Sequence, residues 1–156
     1  MSENAPTAIW VDADACPRLI RDIIARAAIR TERRTAFVAN HLIPLPRSPF
    51  VYALNAPQGA DAADALIAER TLPGALVITG DLPLASIVLA KGARVLTHRG
   101  DALTLDNIGP RLNMRDFMET MRASGEHTRG AKPLAPRDVQ AFANAFDRAL
   151  ARLSCC

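Results

Sequence analysis

The sequence lacks long hydrophobic runs and contains few cysteines and aromatic residues. Its longest apolar runs, residues 75–79 and 85–90, are far shorter than the ~18 residues of a membrane span. The N terminus also lacks a charged segment followed by an apolar one, the pattern of a secretory signal. We therefore expect a cytoplasmic protein with no membrane partner.

The three cysteines, Cys16, Cys155 and Cys156, cannot form a disulfide framework and do not have the spacing of a zinc site. Aromatic residues make up 4% of the chain, and Trp10 lies in an apolar segment, which argues against a surface that stacks nucleic-acid bases. These scarcities exclude disulfide scaffolds, zinc fingers and zinc deaminases.

Lysine is also scarce, because 17 of the 19 basic residues are arginine. The planar guanidinium group suits phosphate, so contact with a nucleic-acid backbone is one interpretation, and biased codon usage is the other. The basic residues are concentrated in two stretches that could form two basic surfaces: Arg18, Arg21, Arg26, Arg30, Arg33 and Arg34, and then Arg111, Arg115, Arg122, Arg129, Lys132 and Arg137.

Hydrophobic periodicity predicts that strands and helices alternate along the chain. This order is typical of a single α/β domain over residues 1–156, with an ordered core at about 8–152 and a mainly parallel central sheet in a three-layer arrangement. The predicted strands are 8–12, 35–39, 50–54, 75–79 and 93–97, and the predicted helices are 17–30, 59–70, 82–90, 106–112, 114–124 and one that begins at Pro136.

Aspartates recur where helices begin. Asp12 and Asp14 follow the first strand, Asp61 and Asp64 lie in the first turn of a helix, and Asp81 follows the fourth strand. Each alone could cap its helix or compensate the helix dipole. However, ligands of open parallel sheets bind outside the carboxyl ends of the strands. If the first and fourth strands are neighbours, as in the order 3-2-1-4-5, these carboxylates converge there.

Converging carboxylates repel one another, by about 4 kcal/mol per pair at 4 Å and an effective dielectric constant of 20. A divalent cation would offset this repulsion, and ligands that are all oxygen favour Mg²⁺ or Mn²⁺ over zinc. The chemistry indicated is phosphoryl transfer or phosphodiester hydrolysis. We take Asp12, Asp61, Asp64 and Asp81 as candidate metal ligands, and Asp12, Asp14, Asp64 and Asp81 as candidate catalytic residues.

Several motifs resemble those of the YaiI/YqxD family of bacterial proteins, and they occur in the family's order over nearly the whole chain. They are VDADACP at 11–17, FVAN at 37–40, GADAAD at 59–64, TGDLPLA at 79–85, KGA at 91–93, RG at 99–100 and MRD at 114–116. That family is grouped with the PIN-like domains, a superfamily of metal-dependent nucleases. The resemblance implies a PIN-like fold and a nuclease acting on nucleic acid, RNA more than DNA. The acidic positions of PIN-like nucleases coincide with the candidate aspartates named above.

Other polar residues could contact such a substrate. They are Asn40, Ser48, Lys91, Arg99 and Arg115. Asn40 and Ser48 are also ordinary turn residues, and Lys91 could compensate a helix dipole. His41, His98 and His127 share no ligand spacing and are predicted to be solvated loop residues, whereas Cys16 is predicted to pack in the core.

Two other functions remain open. A D-x-D motif after a strand also begins haloacid-dehalogenase-like phosphatases, in which the first aspartate is the nucleophile. That fold needs threonine or valine where this chain has Cys16, and a flap before its first helix, where this chain has Pro17. The second alternative is a module that binds nucleic acid, or regulates a partner, without catalysis.

Overall fold

A computed structural model describes residues 6–56, 62–111 and 134–153. Its strands are β1 (Ile9–Asp12), β2 (Thr35–Ala39), β3 (Val51–Asn55), β4 (Leu76–Ile78), β5 (Arg94–Leu96) and β6 (Ala102–Leu103). Its helices are α1 (Arg18–Thr31), α2 (Ala62–Arg70), α3 (Leu82–Ala90), α4 (residues 105–111) and α5 (Pro136–Arg152), and a short 3₁₀ turn covers Ala13–Ala15.

The strands form one six-stranded sheet in the order β3-β2-β1-β4-β5-β6. The first five are parallel, and β6 runs antiparallel to β5. Asp12 pairs in register with Val38 of β2, and Val11 pairs with Ile78 of β4. The predicted α/β class is therefore confirmed, and β1 and β4 are neighbours at the centre of the sheet.

Helices cover both faces of the sheet, and β1 shows why. All four of its residues are buried. Ile9 and Val11 pack in a cluster with residues of α1 and α5, whereas Trp10 packs in a second cluster with residues of α2 and α3. Successive side chains of a strand point to opposite faces, so the consecutive apolar residues Ile9, Trp10 and Val11 require helices on both sides. The result is the predicted three-layer arrangement.

The connections decide which side chains reach which edge of the sheet. Because β2 and β3 are parallel, the link between them, residues 40–50, begins at the carboxyl edge and ends at the amino edge, and it contains no helix. Strand β6 is absent from the sequence prediction because two residues cannot show periodicity. The predicted helix 114–124 and residues 59–61 of the predicted helix 59–70 lie outside the described residues.

None of the helices within the described ranges is long and apolar enough to cross a membrane.

Candidate functional site

Among the described acidic residues of the carboxyl edge, Asp12 is the most buried. It ends β1 and is 7% exposed. The hydroxyl of Thr79, which follows β4, donates a hydrogen bond to Asp12 Oδ2 at 3.1 Å. Burial raises the pKa of Asp12 above its ordinary value, against the opposing effect of the Thr79 hydrogen bond, and the charges of Asp81 and Asp14 raise it further. The carboxylate is therefore buried in a region of negative potential.

Asp81 caps helix α3 and is joined to Asp12 through Thr79. Its Oδ1 accepts a hydrogen bond from the backbone N–H of Leu84 at 2.9 Å, so the capping role considered in the sequence analysis is confirmed. The backbone N–H of Asp81 donates to the Thr79 hydroxyl at 3.0 Å. The chain of bonds therefore links the ends of two adjacent strands, and Asp81 Oδ2 accepts no hydrogen bond from a described residue.

Asp14 lies in the 3₁₀ turn and is held from the end of β2. The backbone N–H of Asn40 donates to its Oδ2 at 3.0 Å, and the Asn40 side-chain nitrogen, in the amide orientation that satisfies both groups, donates to the same oxygen at 2.7 Å. His41 Nδ1 lies 2.7 Å from Oδ1. A carboxylate accepts about four hydrogen bonds. Most of Asp14's capacity is thus used in joining β1 to β2, with Asn40 as its partner.

The helix acids are only partly described. Asp64 lies in the first turn of α2, is half-buried, and is on the same edge as Asp12, because α2 follows the carboxyl end of β3. Asp61 lies outside the described residues. Within the described ranges, no three carboxylate, histidine or cysteine side chains are grouped closely enough to hold a metal ion.

Lys91 and Ser48 lie at the opposite, amino edge of the sheet. Lys91 Nζ donates to the carbonyl oxygens of Ala68 and Glu69, at the end of α2, at 2.7 and 3.2 Å. Ser48 Oγ accepts from the backbone N–H of Phe50 at 3.1 Å, just before β3. The structure therefore separates both residues from the aspartates. Lys91 has the helix-end role, and Ser48 the turn role, that the sequence analysis gave as alternatives to substrate contact.

Arg99 lies at the carboxyl side of β5, where its guanidinium pairs with Asp138 at 3.2 Å. Asp138 also accepts from the backbone N–H of Ala135 at 2.8 Å and so caps α5. Arg99 thereby fastens the β5–β6 turn to α5. Arg115 lies outside the described residues.

His98 is a residue of this edge that the sequence analysis treated as a solvated loop histidine; it does lie in the turn after β5, but it is only partly solvated. The side chain is half-buried beside Gly80, where an added Cβ would lie 3.4 Å from His98 Cε1. Burial, and then the charge of Arg99, lower the pKa of His98. Its position after β5 could have revealed it, since the same rule selected the aspartates after β1 and β4. His41 is exposed as predicted but is bonded to Asp14, and His127 lies outside the described residues.

Cys16 packs in the core, as predicted. It is 8% exposed and belongs to the cluster of β1, α1 and α5. Burial raises the pKa of the Cys16 thiol to about 12, although the charge of Arg21 opposes this effect. A protonated, buried thiol is a poor nucleophile and metal ligand.

The first arginine-rich stretch does not form a single basic surface. Arg30 pairs with Asp147 at 3.3 Å, Arg33 donates to the carbonyl oxygen of Leu153 at 2.7 Å, and the Arg34 guanidinium lies 4.7 Å from the centroid of the Tyr52 ring. These three have structural partners. Arg18 and Arg21 instead line a pocket near the carboxyl edge.

Comparison with known proteins places the chain among close relatives. It is 54% identical over 144 residues to a UPF0178 protein of Chromobacterium violaceum, with 92% of this chain and 98% of the relative covered. A UPF0178 protein of Vibrio vulnificus is 53% identical, with coverages of 92% and 97%. No solved structure matches the chain. The family model described as "Uncharacterized BCR, YaiI/YqxD family" matches residues 10–152, and the chain therefore belongs to the YaiI/YqxD family.

Proposed function

We propose that this protein is a nuclease that uses Mg²⁺ or Mn²⁺ to hydrolyse phosphodiester bonds, in RNA more than in DNA, at the carboxyl edge of its sheet. The observation that carries the proposal is the Asp12–Thr79–Asp81 network. It keeps a buried carboxylate next to a second one at the centre of a parallel sheet, where α/β proteins bind their ligands. The preference for RNA rests on the likeness to PIN-like nucleases.

The donor chemistry of this edge fits a hard divalent cation. Asp12 and Asp81 offer oxygen only, and the buried thiol of Cys16 is protonated. Magnesium is commonly bound through one or two protein carboxylates, with waters and substrate phosphates completing its shell. Two protein ligands are therefore enough, even though no larger group of ligands occurs within the described ranges.

Asp12 and Asp81 would hold the ion, with Asp64 of α2 on the same edge and Asp61 as a further candidate. When bound, the ion would activate water and stabilise charge on the leaving oxygen. Thr79 orients the Asp12 carboxylate, and the capping bond from Leu84 limits the rotation of Asp81. Asp14 is a positioning residue, because its bonds to Asn40 and His41 hold the β1 end against the β2 end.

A non-catalytic nucleic-acid-binding module is the second candidate. It is favoured by Asp14, whose hydrogen-bonding capacity is largely used within the protein, and by the lack of a group of three ligands within the described ranges. Such a module would bind phosphates without turnover and without a requirement for a divalent cation.

The test is a cleavage assay on labelled single- and double-stranded RNA and DNA, with Mg²⁺, with Mn²⁺ and with EDTA. We expect cleavage that EDTA abolishes, that Asp12→Asn lowers by at least 100-fold, and that is faster on RNA. Asp106→Asn is the matched control, because Asp106 is exposed and lies towards the opposite edge of the sheet. Binding without cleavage under every metal condition would support the non-catalytic module instead.

A further inference from the structure

A pocket of about 180 Å³ lies between helix α1 and the loop that follows β2. Its lining consists of Arg18, Arg21, Asp22 and Ala25 from the helix and Pro44, Leu45 and Pro46 from the loop. The two prolines have no backbone N–H, so hydrogen-bond donors in this pocket come mainly from the arginines.

Arg21 is the unusual member of this lining. Its Nε is buried and has no hydrogen-bond partner among the described residues. Neither Arg21 nor Arg18 forms an ion pair with a described residue, and Asp22, the one acid of the lining, pairs with neither arginine. Native proteins satisfy nearly all buried donors, so the Nε–H of Arg21 is available to an acceptor from outside the chain, either a water molecule or a bound anion.

The pocket adjoins the acidic edge. The charges of Arg21 and Asp12 both act on the Cys16 thiol, so the guanidinium and the buried carboxylate both lie near that residue. On the loop side, Pro44 follows closely after His41, whose Nδ1 is bonded to Asp14. A ligand that spans the two regions would therefore meet positive charge in the pocket and oxygen ligands at the edge.

We propose that this pocket binds a phosphate group of the nucleic-acid strand, next to the phosphate at the acidic edge, with Arg21 as its main contact. This inference rests on the proposed function. A guanidinium group donates two parallel hydrogen bonds to phosphate oxygens. At about 30 Å³ per water molecule, 180 Å³ is room for about six waters, which is enough for one phosphodiester group.

The experiment measures binding of a fluorescent single-stranded RNA by anisotropy in EDTA, so that cleavage plays no part. We expect Arg21→Gln to weaken binding about 10-fold and to reduce the log-log salt slope by about 0.7, the value for one lost phosphate contact on a single strand. Arg26→Gln is the matched control, since Arg26 is exposed on the same helix and does not line the pocket. It should weaken binding less than twofold.

Equal affinities for Arg21→Gln and Arg26→Gln would overturn the proposal. If Arg21→Gln melts well below the wild type, Arg21→Lys takes its place. Lysine keeps the charge and loses the bidentate geometry, so we expect a loss of about threefold with an unchanged salt slope, and unchanged affinity would again overturn the proposal.

Competition with inorganic phosphate and with a 5′-mononucleotide distinguishes the two sources of a phosphate group. If both compounds compete weakly and Arg21→Gln strongly lowers the affinity for the oligonucleotide, the pocket binds a phosphate of the nucleic-acid strand. Strong binding of inorganic phosphate, with no effect of Arg21→Gln on the oligonucleotide, assigns the pocket to a free anion and overturns the proposal. Because binding is measured in EDTA, an effect of Arg21 without any metal-dependent cleavage would refute the nuclease and leave the pocket assignment intact.

Discussion

The hydroxyl of Thr79 donates to the buried carboxylate of Asp12 across 67 residues of sequence. Thr79 is itself 2% exposed and accepts a hydrogen bond from the backbone of Asp81. One side chain thus holds the ends of the two central strands together and links the two acids that the sequence placed after them. Removing the charge of Asp12 and removing its hydrogen bond should therefore change the stability of the fold in different directions.

Asp12→Asn and Asp12→Ala separate these two contributions. Asparagine still accepts from Thr79 and removes a buried negative charge, so we expect a Tm in EDTA equal to or above that of the wild type. Alanine leaves the Thr79 hydroxyl without this acceptor, which costs about 1–3 kcal/mol, or several degrees in Tm. Mn²⁺ should raise the Tm of the wild type and of neither variant. A Mn²⁺-induced rise that persists in both variants would make Asp12 a structural residue only.

The effect of Asp12→Asn on the free energy of unfolding should depend on pH. Burial raises the pKa of Asp12 in the folded protein, whereas in the unfolded chain it has its ordinary value of 3.8. The folded state then binds the proton more tightly, so the carboxyl group destabilises the fold as pH rises from 3.8 through the raised pKa, and it contributes nothing below both values. Urea denaturation at pH 7, 5 and 4 should show the advantage of Asp12→Asn shrinking on acidification. An advantage that grows at low pH would contradict the direction of the shift.

Gly100 is needed both for its backbone conformation and for its lack of a side chain. Its φ is +91°, and an added Cβ would lie 2.9 Å from the carbonyl oxygen of Ala141 in α5. Gly74 has a φ of +87° with nothing within 4 Å of the same position. Gly74→Ala should therefore cost about 1 kcal/mol from conformation alone, and Gly100→Ala about 2–4 kcal/mol, measured by urea denaturation. Equal losses would mean that α5 shifts freely to admit the methyl group.

A Lys91→Gln variant tests whether Lys91 stabilises the end of α2 or contacts the substrate. Its ammonium donates to two carbonyl oxygens at the end of α2. Lys91→Gln should lower stability by about 0.3–1 kcal/mol, the usual value for a cation at a helix C terminus, and leave RNA affinity within twofold of the wild type. The measurements are chemical denaturation and anisotropy. A loss of RNA affinity like that expected for Arg21→Gln would restore Lys91 as a substrate residue.

The architecture could be predicted from local sequence patterns. The apolar residues of β1 and β4 favoured strands covered on both faces. Asp12 ends β1 and Asp81 lies three residues after β4, so the strand-end rule was enough to select both. The bounds of β2 and α3 agree with the prediction because apolar content, Asp81 as a cap and Gly92 as a terminator all act within a few residues.

Tertiary structure decided what each polar side chain does, because its partner lies far away in sequence or on another edge of the sheet. Asp14 is held by the end of β2, Lys91 reaches the end of α2, and His98 is half-buried beside Gly80. The order of the strands brought Thr79 to Asp12, and the helix-free link after β2 placed Pro44 and Pro46 in the same pocket as Arg21. A hydrogen bond depends on separations of about 3 Å, and hydrophobic periodicity specifies only which face a residue occupies.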